Sequence, residues 1–181
     1  LEQTITVGQP AMQTAVYSVV DVLCNGDSTG LVDVTYSGGT PPFTTVWNDG
    51  QTTEDAINLP AGYYYFLGTD AQGCEVRDTM VVEQPAQIDL TYELTPVSCI
   101  DQSDAAINIS PYGGNAPYDY AWSNGQISQN ASQLIPGFYT LIITDANACV
   151  QSFNFEIQIN EEECLGVPNT ITPNGDNYND T

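Results

Sequence analysis

The chain has 181 residues with 23 acidic side chains, a single basic one (Arg77) and no histidine, so its formal net charge is −22. This balance excludes nucleic acid as a partner, because phosphate binding needs Lys and Arg to release counterions. The apolar share of 41% is enough for a folded core, and no apolar run approaches the roughly 20 residues of a membrane-spanning helix.

An ungapped internal repeat with a period of 75 residues organises the sequence. Cys24, Trp47 and Cys74 recur as Cys99, Trp122 and Cys149. A fixed period of this kind indicates a repeat architecture. The register extends to the first residues of the chain. Five residues there match those found 75 positions later: Thr4, Val7, Gln9, Pro10 and Ala11 correspond to Thr79, Val82, Gln84, Pro85 and Ala86. We therefore predict residues 1–10 to be the last strand of a preceding copy.

Both copies show strand patterns in the same order. Alternating apolar and polar residues predict strands at 32–36 and 107–110, because successive side chains of a strand point to opposite faces. Further strands are predicted at 43–47 and 118–122, each closed by an Asp-Gly or Asn-Gly turn. The most apolar stretches, 63–69 and 138–144, predict buried strands, and one more strand follows the second cysteine of each copy.

Short strands at regular spacing, with no helical stretch, predict an all-β chain. We expect tandem Ig-like antiparallel β-sandwich repeats with one disulfide each. The tryptophan between two cysteines is typical of immunoglobulin domains, although here the second cysteine follows the tyrosine-rich strand. The predicted organisation is a terminal strand (1–10), a first copy (11–85), a second copy (86–160), and a linker with the start of another domain (161–181).

Four of the five cysteines form two matched pairs, each separated by 50 residues. We predict the disulfides Cys24–Cys74 and Cys99–Cys149, and hence an oxidising, extracytoplasmic compartment. The alternatives are two buried thiols per copy, or a zinc site, which is disfavoured because no CxxC pair or histidine accompanies the cysteines. Cys164 remains, either free or paired with a residue outside this chain.

Several motifs resemble SprB-type repeats, which occur in very large surface adhesins of gliding Bacteroidetes. The motifs lie at residues 24–30, 37–43, 47–53, 59–64 and 69–74, and the second copy keeps them more loosely. Residues 164–181 resemble the opening of the gliding-motility-associated C-terminal domain, the type B sorting signal of the type IX secretion system. One departure is Asn177, where that family usually has glycine.

The resemblance implies a location and partners. Proteins of this kind are exported through the type IX translocon and stay on the cell surface, attached to the outer membrane. Type B signals are linked to a partner outer-membrane protein of the PorP/SprF kind. By analogy, the adhesins move along the cell and drive gliding.

Oxygen-bearing side chains near the end of the chain suggest a metal hypothesis. Asn174, Asp176 and Asp180 stand at nearly alternate positions of a turn, as the ligands of Ca²⁺ do. The alternative, which we favour, is an Asx-rich turn satisfied by its own backbone. The loops around Asp27, Asp70 and Asp145 are weaker candidates and are more simply interpreted as turns. No cofactor is required, and calcium is the single one considered.

Catalysis within the chain is disfavoured, because no histidine or lysine is present for acid–base work and no basic partner could activate a Ser or Thr nucleophile. The tyrosines at 63–65, with Trp47 and Trp122, suggest a surface-polysaccharide site as an alternative to core packing, which we favour. Ser28 and Thr79 fit an Asp-(Ser/Thr)-apolar pattern that resembles Bacteroidetes O-glycosylation sites.

These observations favour a C-terminal stalk segment of a large adhesin exported by the type IX system and used in gliding motility and surface attachment. The first alternative is a carbohydrate-binding accessory segment of a type IX-secreted extracellular hydrolase. The second is a segment that serves only as transport cargo.

Overall fold

The fold was described from a computed structural model that places Gly8, residues 11–99 and residues 102–159. The first copy contains six strands: β1 (Thr14–Val20), β2 (Gly30–Ser37), β3 (Thr44–Trp47), β4 (Ala56–Leu59), β5 (Gly62–Thr69) and β6 (Glu75–Val82). The second contains β7 (Asp89–Thr95), β8 (Ala105–Tyr112), β9 (Asp119–Trp122), β10 (Ala131–Leu134), β11 (Gly137–Thr144) and β12 (Val150–Ile157). Every strand of the second copy begins and ends 75 residues after its counterpart in the first.

Each copy is built from two three-stranded antiparallel sheets. In the first copy the strand orders are β1-β2-β4 and β3-β5-β6, and in the second they are β7-β8-β10 and β9-β11-β12. The predicted all-β class with tandem antiparallel sandwiches is therefore confirmed. The predicted boundary between residues 85 and 86 falls in the segment between β6 and β7.

The core of the first copy lies between its two sheets. It consists of Val22, Val32, Val34, Trp47, Ala56, Leu59, Tyr64, Phe66, Met80 and Val82. Their counterparts 75 residues later are all buried too, namely Val97, Ile107, Ile109, Trp122, Ala131, Leu134, Tyr139, Leu141, Phe155 and Ile157. The repeat is thus preserved in the packing as well as in the strands.

Two of the differences between the cores compensate each other. In the first copy the ring of Trp47 lies 5.3 Å from that of Phe66 on β5. Leu141 replaces this phenylalanine in the second copy, but Phe155 replaces Met80 on the neighbouring strand, and Trp122 lies 5.6 Å from it. The tryptophan keeps an aromatic neighbour, and these two exchanges together change the core volume little, which is the kind of swap that cores tolerate best.

A buried tyrosine closes the corner before the fifth strand of each copy. The Tyr64 hydroxyl donates to the Pro60 carbonyl at 2.9 Å, and the Tyr139 hydroxyl donates to the Ile135 carbonyl at 3.0 Å. A tyrosine that bonds backbone a few residues upstream is a feature of immunoglobulin-type sandwiches. Burial of each tyrosine therefore leaves its hydroxyl satisfied.

The repeated Gly-Gly pairs hold the segment that leads into the first strand of each copy. Gly39 N donates to Ala11 O at 2.9 Å, and Gly114 N donates to Ala86 O at 2.7 Å. Gly38 has φ of 69°, and a Cβ added there would lie 2.0 Å from Met12 O. Glycine is required at this position because both the backbone angle and the close approach exclude a side chain.

Candidate functional sites

The two cysteines of the first copy lie at opposite ends of its sandwich. Cys74 immediately precedes β6, whereas the turn after Cys24 bonds to residues just beyond the end of that strand: Gly26 N donates to the Gln84 side chain at 2.8 Å. Eight residues of antiparallel strand span about 25 Å. A disulfide needs Cα atoms about 4.4–6.8 Å apart, so the predicted pair Cys24–Cys74 is wrong.

The second copy has the same arrangement. Cys149 precedes β12, while Val97, close to Cys99 in the chain, donates its N–H to Gln158 O beyond the end of that strand. The predicted pair Cys99–Cys149 is therefore wrong for the same geometric reason. The expectation of one disulfide per sandwich fails with it, and the fifth cysteine, Cys164, lies outside the described residues.

Cys24 is instead bonded to Cys149, 125 residues away, with 5.5 Å between the Cα atoms. The described residues form two compact units, and both cysteines belong to the first, which also includes Gly113–Ala116 and Ala146–Cys149. Beside the disulfide, the Asn147 side-chain amide donates to Leu23 O at 3.3 Å, and Cys149 Sγ lies 3.4 Å from the same oxygen. Leu23 and Cys24 therefore both contact the turn that ends at Cys149.

The corresponding turn of the first copy runs from Asp70 to Cys74, and its cysteine is an exposed thiol. The Asp70 carboxylate accepts hydrogen bonds from the backbone N–H groups of Cys74 (2.8 Å), Thr40 (2.9 Å) and Gln72 (2.9 Å). These bonds, that from Cys74 above all, hold the pKa of Asp70 below its ordinary value. Asp70 therefore stabilises the turn through its own hydrogen bonds. This agrees with the interpretation of its loop as a turn, which we favour over a calcium site.

A cavity of about 280 Å³ lies beside this turn, lined in part by Cys74, Gln72, Met12 and Gln13. The Gln13 side chain is only 8% exposed, and neither its Nε2 nor its Oε1 has a hydrogen-bond partner among the described residues. A buried amide left unsatisfied is costly and rare in native structures. No sequence pattern indicates a role for this glutamine, or for Leu23 and Asn147, because their roles depend on contacts between turns that are distant in the chain.

The aromatic candidates divide into core and surface. Trp47 and Trp122 are buried, and their indole N–H groups donate to Thr53 O at 3.0 Å and Ser128 O at 2.9 Å. Tyr64 is buried too, whereas Tyr63 and Tyr65 are 75% and 57% exposed. Both tryptophans are therefore core residues, which is the interpretation that we favour over a sugar-binding site.

The exposed tyrosines belong to the outer face of the sheet β3-β5-β6. Tyr63 pairs with Val81 and Tyr65 with Thr79 across the β5–β6 ladder, and Val46 is exposed on the neighbouring strand. We call these five residues the tyrosine face. A cavity of about 440 Å³ beside Tyr65 is lined also by Arg77 and Asp78, so apolar and polar groups adjoin here, as they do in small-molecule sites.

The two candidate glycosylation residues occupy different settings. Ser28 is exposed in the loop before β2, and Thr79 is exposed within β6 as part of the tyrosine face. Both hydroxyl-bearing residues are therefore accessible, and their modification stays a prediction.

The calcium candidates Asn174, Asp176 and Asp180 lie outside the described residues. Within the described ranges, no group of three or more Asp, Glu, Cys or His side chains is placed to hold a metal ion. A separate observation concerns membranes: the part of the chain that the structure describes has no helix long and apolar enough to cross one.

Comparison with solved structures finds similar proteins at low sequence identity, each with a TM-score below 0.5. The chain is similar to the N-terminal eight Ig domains of Down Syndrome Cell Adhesion Molecule (12% identity, TM-score 0.41, 83% of this chain and 25% of that one). It is also similar to the C-terminal 282-residue fragment of intimin in complex with the Tir intimin-binding domain (11% identity, TM-score 0.42, 82% and 64%). A third similar structure is amphioxus IgVJ-C2 (12% identity, TM-score 0.31, 83% and 98%).

The sequence then gives a more particular result. A family model described as the SprB repeat matches residues 16–52 and 91–127, two ranges that are one 75-residue period apart. The chain therefore contains two segments that match the SprB repeat, one in each copy. No curated protein matches the chain. This chain spans less than two thirds of both the cell-adhesion and the intimin structures.

The bonding of Asp70 predicts a specific dependence of stability on pH. Because its pKa is lowered in the folded chain, its contribution to stability is complete above the ordinary carboxyl pKa of about 4 and is lost as pH falls through the lowered value. We expect Asp70→Asn to have a lower free energy of unfolding at pH 7 than the parent chain. The free energy of unfolding of this variant should also fall less between pH 7 and pH 2.

Urea unfolding at the two pH values, followed by tryptophan fluorescence, measures both quantities. Asp33→Asn, at an exposed position of β2, is the matched control and should leave both close to those of the parent chain. An unchanged pH dependence in Asp70→Asn would contradict the assigned role of this carboxylate.

Proposed function

We propose that the chain is a C-terminal stalk segment of a large cell-surface adhesin that is exported by the type IX secretion system and used in gliding motility and surface attachment. The observation that carries the proposal is the SprB repeat at two places one period apart, each place starting within the first strand of a complete sandwich. Repeated modules of one design suit a spacer, because they extend a chain without adding a new activity.

The segment between the copies supports the same function. Asn25 donates its side-chain amide to Pro85 O at 3.0 Å, Gly26 N bonds the Gln84 side chain, and Ala86 O accepts from Gly114 N. The connecting residues are thus fixed by hydrogen bonds within the first compact unit instead of forming a free linker. Connecting residues that belong to a folded unit suit a stalk.

Export and attachment are assigned to the C-terminal residues. Residues 161–181, by their resemblance to a type B sorting signal, would engage the type IX translocon and a PorP/SprF-like outer-membrane protein. This assignment places the mature protein on the cell surface, attached to the outer membrane. It rests on the sequence of that segment.

Deletions in the cell that makes the protein test the two parts separately. Removing residues 11–160 should leave the protein on the surface but reduce attachment and gliding, because the stalk is shortened. Removing residues 161–181 should instead eliminate surface display, as read by antibody labelling of intact cells. Normal display without residues 161–181 would contradict the export assignment, and unchanged attachment without residues 11–160 would contradict the stalk.

A second function is favoured by the tyrosine face: a carbohydrate-binding segment of a type IX-secreted hydrolase. Flat exposed aromatic rings beside polar groups are suited to sugar rings. Phe138, 81% exposed, is the counterpart of Tyr63 in the second copy, but Thr140 replaces Tyr65 there. The pair of exposed tyrosines is thus particular to the first copy.

Binding to surface polysaccharides separates the two functions. If the chain is a stalk, we expect no retention of the chain on polysaccharide columns and no difference between the parent and a Tyr63→Ala, Tyr65→Ala variant. Binding that falls about tenfold in that variant, as for anchoring aromatics, but persists in Phe138→Ala, would favour the carbohydrate-binding function.

A further inference from the structure

We propose that the turn from Asp70 to Cys74 binds another copy of this repeat, through the residues of that copy that correspond to Leu23 and Cys24. Cys74 would form a disulfide with the cysteine of this pair. The partner is a copy that directly precedes the first in the same polypeptide, as the first precedes the second. Each copy would then be bonded to the next through a cysteine at one end of its sandwich and a cysteine at the other. The inference does not depend on adhesion or on the route of export.

The second copy provides the template. Its turn before β12 takes Leu23 and Cys24 of the first copy: Cys149 forms the disulfide, and the Asn147 amide donates to Leu23 O. Cys149 is correspondingly buried, at 9% exposure. The equivalent residues of the first copy are Cys74, an exposed thiol, and Gln72, whose amide has the same donor chemistry as that of Asn147.

The cavity beside Cys74 offers an independent sign of a missing partner. Gln13 lines it, is more than nine-tenths buried, and has both amide atoms without hydrogen bonds among the described residues. At the corresponding place in the second copy stands Ile88, which has no polar group to satisfy. An extended segment that enters the cavity presents backbone N–H and C=O groups, which are the partners that a buried amide requires.

The sequence register indicates where that segment comes from. Residues 4–11 carry the pattern of residues 79–86, the end of a copy and its connection to the next. A copy in this register has its first cysteine 125 residues before Cys74, the same separation that joins Cys24 to Cys149. Exposed Met12, at 80%, lies in the same cavity wall and offers an apolar contact for the leucine of the incoming turn.

The bond can form by ordinary thiol–disulfide exchange with a small-molecule disulfide. The thiolate of the incoming cysteine attacks oxidised glutathione, and one glutathione thiolate leaves. The Cys74 thiolate then attacks the protein sulfur of this mixed disulfide, the second glutathione leaves, and the protein disulfide results. Two protein thiols are oxidised while one glutathione disulfide is reduced, so electrons and protons balance.

The test is a chain in which residues 1–10 are replaced by a second set of residues 11–85. In the added copy, the counterpart of Cys74 is changed to serine. After folding in a glutathione redox buffer, non-reducing peptide mapping should find the added first cysteine bonded to Cys74 and Cys24 bonded to Cys149. Alkylation of Cys74 by iodoacetamide, which we expect to be fast in the parent chain, should fall at least about tenfold, because the thiol becomes a disulfide.

Matched variants test the docking contacts. Gln72→Ala should slow formation of the new disulfide about fivefold, the effect of one lost hydrogen bond, without affecting Cys24–Cys149, and Asn147→Ala should do the reverse. Cys74→Ser in the extended chain should leave the added cysteine as a thiol or a glutathione adduct.

The Cys24–Cys149 bond serves as the internal standard for folding and oxidation in the same molecule. If it forms while Cys74 stays open to alkylation, the proposal is wrong. If Cys74 bonds a second chain instead, which a dimer on a non-reducing gel would reveal, the assignment to a preceding copy is wrong.

Discussion

Replacing both Cys24 and Cys149 by serine is expected to lower the free energy of unfolding by up to about 5 kcal/mol. The disulfide closes a loop of 125 residues, and in the chain-entropy model a cross-link stabilises mainly by restricting the unfolded chain, more so for longer loops. That loop contains β2 to β11, so the restriction applies to most of both sandwiches. Substituting both cysteines avoids leaving one thiol to form a wrong pair.

Urea unfolding with and without a reducing agent provides the measurement. The double variant should resemble the reduced parent chain, and the reducing agent should have little further effect on it. Cys74→Ser is the matched control, since its thiol is exposed and outside the disulfide. Equal destabilisation by Cys74→Ser, or none by the double variant, would contradict the disulfide described here.

The second large effect is expected from Phe66→Ala, at about 3–5 kcal/mol. This ring is fully buried, packs 5.3 Å from Trp47 and 6.1 Å from Tyr36, and its removal leaves a cavity between the two sheets. Tyr65→Ala, one residue earlier on the same strand but on the outer face, should cost less than about 1 kcal/mol.

Fluorescence of the tryptophans and far-UV circular dichroism during urea unfolding can follow this destabilisation. Leu141→Ala, the counterpart in the second copy, should cost about 2–5 kcal/mol and mainly affect the sandwich that contains Trp122. A similar loss for Tyr65→Ala and Phe66→Ala would mean that the two faces of β5 are not distinguished as the burial pattern requires.

The period of the sequence predicted most of the fold, because residues 75 apart occupy the same place in each sandwich. The strands β2, β3 and β5 could be read from alternation and turn residues. Two strands of each copy were not predicted, namely β1 and β4 and their counterparts β7 and β10. Residues Thr14–Val20 of β1 are mostly exposed and do not alternate cleanly, and Ala56–Leu59 of β4 is short and interrupted at Asn58, whose φ is 55°.

The cysteine connectivity could not be predicted from spacing alone. Four matched cysteines allow several pairings, and their equal separation within each copy favours the pairs inside a copy. The strand that follows Cys74 excludes the pair within the first copy. It runs the full length of the sandwich, so Cys74 and Cys24 lie at opposite ends of it. The same limit applies to Gln13, whose importance arises from the packing of distant turns around it.

The position of the disulfide also determines how the chain would respond to tension. A pull applied to the two ends reaches Cys24 from one side and Cys149 from the other, so the force crosses between them through a sulfur–sulfur bond. The 125 residues in between hold roughly 450 Å of contour length at about 3.6 Å per residue, and this length stays locked. Cleaving one covalent bond would release it, so the redox conditions around the chain would set how far it can extend.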